Sequence, residues 1–92
     1  MSDAVKNEAT DTANAFDHFG KTWHVPSSLR LSHREGFANE FARTGNGNVA
    51  MCRAYLSADE MATLREIDPT DAELDAFTDV MAKALGFENA GN

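Results

Sequence analysis

Three four-residue segments of this chain match the capping box, the [Ser/Thr]-x-x-Glu pattern that starts many α-helices. They are SHRE at 32–35, SADE at 57–60 and TDAE at 70–73. In this motif the hydroxyl accepts a hydrogen bond from the N3 backbone N–H, and the glutamate accepts one from the N-cap N–H. Helices shorter than about 12–15 residues are marginal alone, so their caps matter. The chain is therefore predicted to be mainly α-helical, with short helices.

The first predicted helix covers about residues 32–44, after an extended or single-turn entry that contains Leu31. Phe37 and Phe41 lie four residues apart, with Ala38 beside them, and give this helix one apolar stripe. Gly36 lies in its interior, where glycine costs about 1 kcal/mol relative to alanine. We therefore expect another backbone to approach the helix closely at this glycine.

The next two predicted helices are shorter. Asn48 is the predicted N-cap of the first of them, and Cys52 lies on its apolar side. The second covers about residues 57–66. Pro69 then breaks the helical period, because proline disfavours α geometry at the preceding Asp68.

The last predicted helix starts at Thr70 and has the clearest apolar stripe. Its large apolar residues recur at helical spacing, at Leu74, Phe77, Met81 and Leu85. Gly86 is placed to end this helix in the left-handed conformation, as Gly45 is for the first helix. Phe87 follows Gly86 and can fold back on the last turn.

Residues 15–25 are typical of a β-hairpin. Phe16 and Trp23 favour strands, residues 20–21 supply a turn, and Pro26 ends the second strand. A lone hairpin is marginal in water, so we expect this one to lay its aromatic side chains on a helix or on another chain. The predicted fold is mainly α, with this short N-terminal hairpin followed by a small bundle of three to four short helices.

One domain is predicted over residues 15–88. Beyond the first methionine, residues 1–14 contain one large apolar residue, Val5, and no aromatic residue. Such a segment buries too little surface to offset the entropy of ordering, so we interpret it as a flexible tail. Residues 89–92 are interpreted as a frayed end.

The net charge of −7 lies entirely in the C-terminal part, since residues 57–92 contain nine acidic and two basic residues. This surface repels phosphate backbones, so we predict no nucleic-acid partner. A helix-turn-helix reader is rejected because its second helix would present Asp59 and Glu60 to the bases. Two interpretations of the acidic face stay open: a solvated surface, or an electrostatic guide toward a basic partner.

The longest uninterrupted apolar run covers residues 49–52, far below the roughly 20 residues needed to cross a bilayer. The first ten residues lack the basic-then-apolar layout of a signal peptide. We therefore expect a cytoplasmic protein with no membrane partner. A single cysteine, Cys52, excludes an internal disulfide.

Residues with catalytic or metal-binding chemistry form no recognisable motif. The candidate metal ligands match no standard spacing; they are His18, His24, His33 and Cys52. Cys52 lies on an apolar stripe and is better interpreted as a small buried side chain than as a nucleophile. The acid-rich segment 68–79 lacks the opening of a calcium loop, and no Lys-Ser/Thr follows the glycines at 45–48. We predict no catalytic, cofactor-binding or metal-binding residues, and no enzyme.

Four segments together carry a family resemblance: Phe16-x-x-x-GKTWHVP over 16–26, AYLSADEMATLREID over 54–68, DAELDAFTDVMAKALGF over 71–87 and the ending LGFENAGN over 85–92. Their order resembles that of the tail assembly chaperones of long-tailed, siphovirus-type bacteriophages of actinobacteria. The resemblance covers about residues 15–92.

This resemblance implies a phage-encoded protein in the cytoplasm of the infected host that is absent from the mature virion. It would hold the tape-measure protein in solution and deliver it, with tail-tube subunits, for assembly. The resemblance also implies self-association and a longer frameshifted product that shares this domain. It supplies no catalytic residues.

Five aromatic residues are the predicted partner contacts, because they are too apolar for a free surface and hard to bury in so small a core: Phe19, Trp23, Phe37, Phe41 and Phe87. Core packing is the alternative for each, and we favour it for Phe37 and Phe41. A second hypothesis is a small acidic regulator, inhibitor-like or antitoxin-like, that uses residues 57–88 against a basic protein surface. Binding through the acidic face should weaken with salt, whereas apolar burial should not.

Overall fold

A two-stranded hairpin followed by four helices makes up the fold, as predicted. The computed structural model describes residues 14–87. The elements in chain order are β1 (Asn14–His18), β2 (Lys21–Val25), α1 (Leu31–Thr44), α2 (Gly47–Tyr55), α3 (Ala58–Ile67) and α4 (Asp71–Leu85). The predicted tail and the predicted frayed end lie outside the described residues, except that Asn14, the last residue of the predicted tail, begins β1.

The hairpin turns at Phe19 and Gly20, one residue earlier than predicted. Both residues have positive φ, 53° and 70°. Two such residues between antiparallel strands give a turn whose twist matches the hairpin. The strands pair with Phe16 opposite Trp23, and the Trp23 Nε1–H donates to the His18 carbonyl at 2.8 Å. That bond joins the indole to the strand residue just before the turn.

The core forms where the hairpin lies on α4. Phe77 of α4 is fully buried, and its ring contacts the rings of Phe16 at 5.4 Å and Trp23 at 4.9 Å, both edge to face. Asn14 Nδ2 donates to the Ala84 carbonyl at 2.8 Å, which fixes the start of β1 near the end of α4. The remaining buried residues come from β2 and the residue after it, from helices α2 to α4 and from the end cap of α2: Val25, Pro26, Ala50, Cys52, Tyr55, Leu56, Leu64, Thr78, Met81 and Leu85. The prediction that the hairpin covers a helix is confirmed.

Helix α1 differs from the other three because none of its residues is buried. It packs chiefly against α2. A Cβ built on Gly36 would meet no atom within 4 Å. The predicted close approach of another backbone at this glycine is therefore wrong.

Two of the three predicted capping serines and threonines cap a helix. Thr70 forms the complete box, since its Oγ1 accepts from the Glu73 N–H at 3.2 Å and its own N–H donates to Glu73 Oε1 at 2.9 Å. Ser57 Oγ accepts from the Glu60 N–H at 3.1 Å. Ser32 does not cap α1, which begins at Leu31 with Arg30 as N-cap. There the Arg30 N–H donates to His33 Nδ1 at 3.0 Å.

The cap of α2 is Asn46, whose side chain accepts from the Val49 N–H at 3.1 Å. The predicted cap, Asn48, lies inside the helix instead. Its Oδ1 accepts from the buried Thr78 hydroxyl at 2.8 Å and so joins α2 to α4. A side chain that reaches another helix is not available to its own helix end.

The predicted helix ends are correct. Gly45 and Gly86 close α1 and α4 with φ of 66° and 92°. Asp68, before Pro69, has φ 54°, outside the α region as expected for a residue that precedes proline.

Alanine substitutions at Thr70 and Ser32 test which of these two residues caps a helix. Thr70→Ala is expected to lower the free energy of unfolding by about 0.5–2 kcal/mol, because the Glu73 N–H loses its acceptor. Ser32→Ala is expected to change it by less than about 0.5 kcal/mol, as for an ordinary exposed position. Urea unfolding followed by circular dichroism measures both. Equal losses in the two variants would contradict the cap assignment of α1.

Candidate protein-binding surface

The exposed side of α1 contains a row of four residues that are spaced three, four and three positions apart. We call this row the α1 stripe; its members are Leu31, Arg34, Ala38 and Phe41. All four are exposed, and Leu31 and Phe41 expose 73% and 48% of their surface. Residues at this spacing lie on one side of a helix and are the seam positions of helix pairs. The α1 stripe is therefore an exposed row at seam spacing, with a large apolar residue at each end.

A row of stacked rings supports one end of this stripe. Phe37 stacks on Phe41 with centroids 6.0 Å apart and on Tyr55 of α2 at 6.3 Å, both nearly parallel. Tyr55 is itself buried. Phe41 is thus anchored to the core through Phe37 while about half of its own surface faces solvent.

Phe87 supports the middle of the stripe. Its ring meets Tyr55 edge to face at 6.3 Å, and the Arg34 guanidinium lies over it, 5.6 Å from the centroid. This cation–π contact holds the Arg34 side chain against the protein surface. The contacts of Phe87 are therefore with α1 and α2, whereas the predicted contact was with the last turn of α4.

The five predicted contact residues separate into two groups. Trp23 is 1% exposed and belongs to the core, so its side chain is not offered to a partner in this fold. Phe19 is partly buried and stacks on Phe77 at 5.5 Å. Of the other three, Phe41 belongs to the α1 stripe, and Phe37 and Phe87 lie beside it.

The α1 stripe was predicted only in part. Ala38 and Phe41 belong to the apolar stripe predicted for this helix, whereas Leu31 and Arg34 do not. The predicted helix start at Ser32 leaves Leu31 in the entry segment, so the sequence pattern does not include the first residue of the row. The structure places Leu31 at the first position of α1.

An open cleft of about 490 Å³ lies where the end of the hairpin meets α1, α2 and α3. It is lined by His24, Pro26, His33, Ala54, Tyr55, Leu56, Ser57 and Glu60. Glu60 Oε2 accepts from the backbone N–H of His24 at 2.9 Å and lies 3.1 Å from His24 Nδ1. His33 Nδ1 accepts from the Arg30 N–H. These polar groups bind the protein's own backbone and fix the hairpin and the start of α1.

Cys52 is buried among apolar side chains, as predicted. Burial raises the pKa of its thiol to about 12, so the thiol is protonated at neutral pH. Within residues 14–87, no group of three or more His, Cys, Asp or Glu side chains could hold a metal ion.

Charge differs between the two sides of the molecule. Glu40 of α1 accepts from Arg43 at 2.6 Å and from Arg53 of α2 at 2.8 Å. The hydrogen bond from Arg43 is the main cause of a lowered Glu40 pKa. Exposed carboxylates cover α3, α4 and their connection instead, at Asp59, Glu66, Asp68, Asp71, Glu73, Asp75 and Asp79. The arginines of α1 and α2 therefore lie apart from the carboxylates that cover α3 and α4.

None of the helices formed within residues 14–87 has the length and apolar content needed to cross a membrane.

Comparison with known proteins returns no relative. No protein-family model matches the chain, and it matches no curated protein and no solved structure.

Proposed function

We propose that this protein is a non-catalytic assembly chaperone that binds an amphipathic helix of a partner protein along the α1 stripe. The observation that carries the proposal is the exposure of Leu31 and Phe41 on a helix with no buried residue. Apolar side chains at seam spacing gain the most free energy when a second helix covers them. The stacked rings of Phe37 and Tyr55 support the proposal, because they present Phe41 on a fixed base.

The resemblance to phage tail assembly chaperones supports a particular partner. In this proposal the partner is the tape-measure protein, which is delivered together with tail-tube subunits in the cytoplasm of the infected host. A long helical tape-measure protein exposes apolar faces until it is enclosed in the tail. A small chaperone that covers one such face would keep the partner in solution and would leave before the virion is complete.

One substitution tests the binding surface. Phe41→Asp is expected to weaken binding of a synthetic amphipathic helical peptide, with leucine at its a and d positions, by about 30-fold or more, because an aromatic anchor of an interface is worth about 2 kcal/mol or more. Isothermal titration calorimetry measures the affinity. The matched control is Asn39→Asp, which adds the same carboxylate to α1 outside the stripe. Equal loss in both variants, or loss in neither, would refute the proposal.

The second candidate function is a small acidic regulator of a basic protein surface. The exposed carboxylates of α3 and α4 favour it, because Arg65 and Lys83 are the basic residues on those two helices. Raising the salt concentration roughly tenfold separates the two candidates. Binding through the α1 stripe should change little, whereas binding through the acidic face should weaken sharply.

A further inference from the structure

We propose that the helix bound by the α1 stripe carries a carboxylate in the middle of its apolar side, and that this carboxylate pairs with Arg34. This inference rests on the proposed function, because it specifies the chemistry of the partner at the same surface. The ligand class is therefore an amphipathic helix with one acidic residue on its apolar side. An apolar residue lies one helical turn before this acid and another lies one turn after it.

The position of Arg34 within the stripe is the first argument. Arg34 lies one turn after Leu31 and one turn before Ala38, so a helix that covers both apolar side chains also covers the arginine. Its guanidinium is held over the Phe87 ring at 5.6 Å. Phe87 is in turn held by Tyr55. Phe87 is thus a positioning residue that fixes where the charge is presented.

The lack of a carboxylate partner for Arg34 is the second argument. Across the described part of the chain, residues 14–87, no ion pair joins Arg34 to an acid. Glu40, an acid on the same helix, is already shared by Arg43 and Arg53. Glu35 follows Arg34 directly, and consecutive residues point about 100° apart around a helix.

The energetics of covering a charge is the third argument. A partner helix that covers Leu31 and Phe41 removes water from the arginine between them. A buried charge without a partner is strongly unfavourable, whereas a paired one can contribute to affinity and above all to specificity. The rest of the stripe is apolar, so charge complementarity calls for a single acid rather than an acidic face.

A charge-exchange experiment tests this inference. Two synthetic helical peptides have leucine at the a and d positions except for one central d position, which is Glu in one peptide and Lys in the other. The wild-type full chain is expected to bind the Glu peptide about tenfold or more tightly than the Lys peptide. Arg34→Glu should reverse this order, and Arg34→Gln should remove the discrimination without adding a charge.

Lys83→Glu is the matched control, because it makes the same change in net charge on the exposed surface of α4. It should leave the preference for the Glu peptide intact. A preference lost equally in Lys83→Glu and Arg34→Glu would assign the effect to net charge and overturn the inference. The urea midpoints of all variants establish that each one is folded.

The remaining outcomes separate this inference from the proposed function. Equal binding of both peptides to the wild type, with binding of both abolished by Phe41→Asp, overturns the role of Arg34 and leaves the α1 stripe as a binding surface. Binding of neither peptide overturns both. A dimer of the wild type that Arg34→Glu dissociates, detected by sedimentation equilibrium without peptide, would identify a second copy as the occupant and overturn the inference.

Discussion

Phe77→Ala is expected to lower the free energy of unfolding by about 3–5 kcal/mol, the range for an aromatic residue deleted from a core. Phe77 is fully buried in α4. Its ring is the common contact of four hairpin rings, those of Phe16, His18, Phe19 and Trp23. The hairpin cannot collapse onto the vacated space without losing its turn geometry. Domains of this size are stable by only about 5–15 kcal/mol, so the loss is a large fraction of the total.

Urea unfolding followed by Trp23 fluorescence and by circular dichroism measures this loss. Phe41→Ala is the matched control, because it removes the same ring from a position that is 48% exposed. Its expected cost is about 1–2 kcal/mol, because about half of the Phe41 surface is already exposed and the contact that is lost is its stacking on Phe37. Similar losses in the two variants would show that Phe77 is not the centre of the core.

Glu60→Ala is expected to lower the free energy of unfolding by about 1–3 kcal/mol, the cost of leaving hydrogen-bond donors without their acceptor. Sequence pattern assigned this glutamate to the capping box of α3. In the structure its Oε2 accepts from the His24 N–H of β2 and lies beside His24 Nδ1, while Ser57 caps α3 with its own hydroxyl. Glu60 thus connects the hairpin to α3.

Amide hydrogen exchange provides the specific readout for Glu60→Ala. Exchange of the His24 amide should accelerate more than exchange of amides in α4, because the loss is local to the strand edge. Glu66→Ala is the matched control, since it removes an exposed carboxylate from the same helix. Unchanged exchange at His24 in Glu60→Ala would contradict this role.

The fold was predictable where local pattern and packing favour the same structure. Helix α4 has a complete capping box at Thr70, a long apolar stripe and a glycine end, and the structure contains all three. The hairpin was predicted from its strand-forming residues and from Pro26. Its turn was misplaced by one residue, because Phe19 adopts a left-handed conformation that is rare outside glycine and asparagine. Its stacking on Phe77 offsets that cost.

The errors arose where a polar side chain had several available partners. Asn48, Glu60 and Ser32 each fit a capping pattern, yet Asn48 and Glu60 bind other elements of the fold. The error at Ser32 had the largest consequence for the candidate site. A helix begun at this serine excludes Leu31, and without Leu31 the exposed row on α1 loses its first apolar member.

The distribution of the predicted contact residues could not be derived from sequence either. Trp23 lies in a predicted strand and Phe41 in a predicted helix, and both are large aromatic residues. Trp23 is buried because a second strand and α4 enclose it, whereas Phe41 stays half exposed because α1 packs chiefly against α2. Composition and periodicity contain no information on which elements become neighbours.

The pairing of the first described element with the last one affects how the chain is made. The Asn14 side chain donates a hydrogen bond to the Ala84 carbonyl, 70 positions away. The aromatic rings of the hairpin pack on Phe77 of α4. A ribosome synthesises the chain from its N-terminus, so the hairpin is made several seconds or less before α4, at about 5–20 residues per second. The core therefore closes after translation of α4, and contacts of such long sequence separation slow that closure. Until then the aromatic side of the hairpin lacks the helix that covers it in the folded chain.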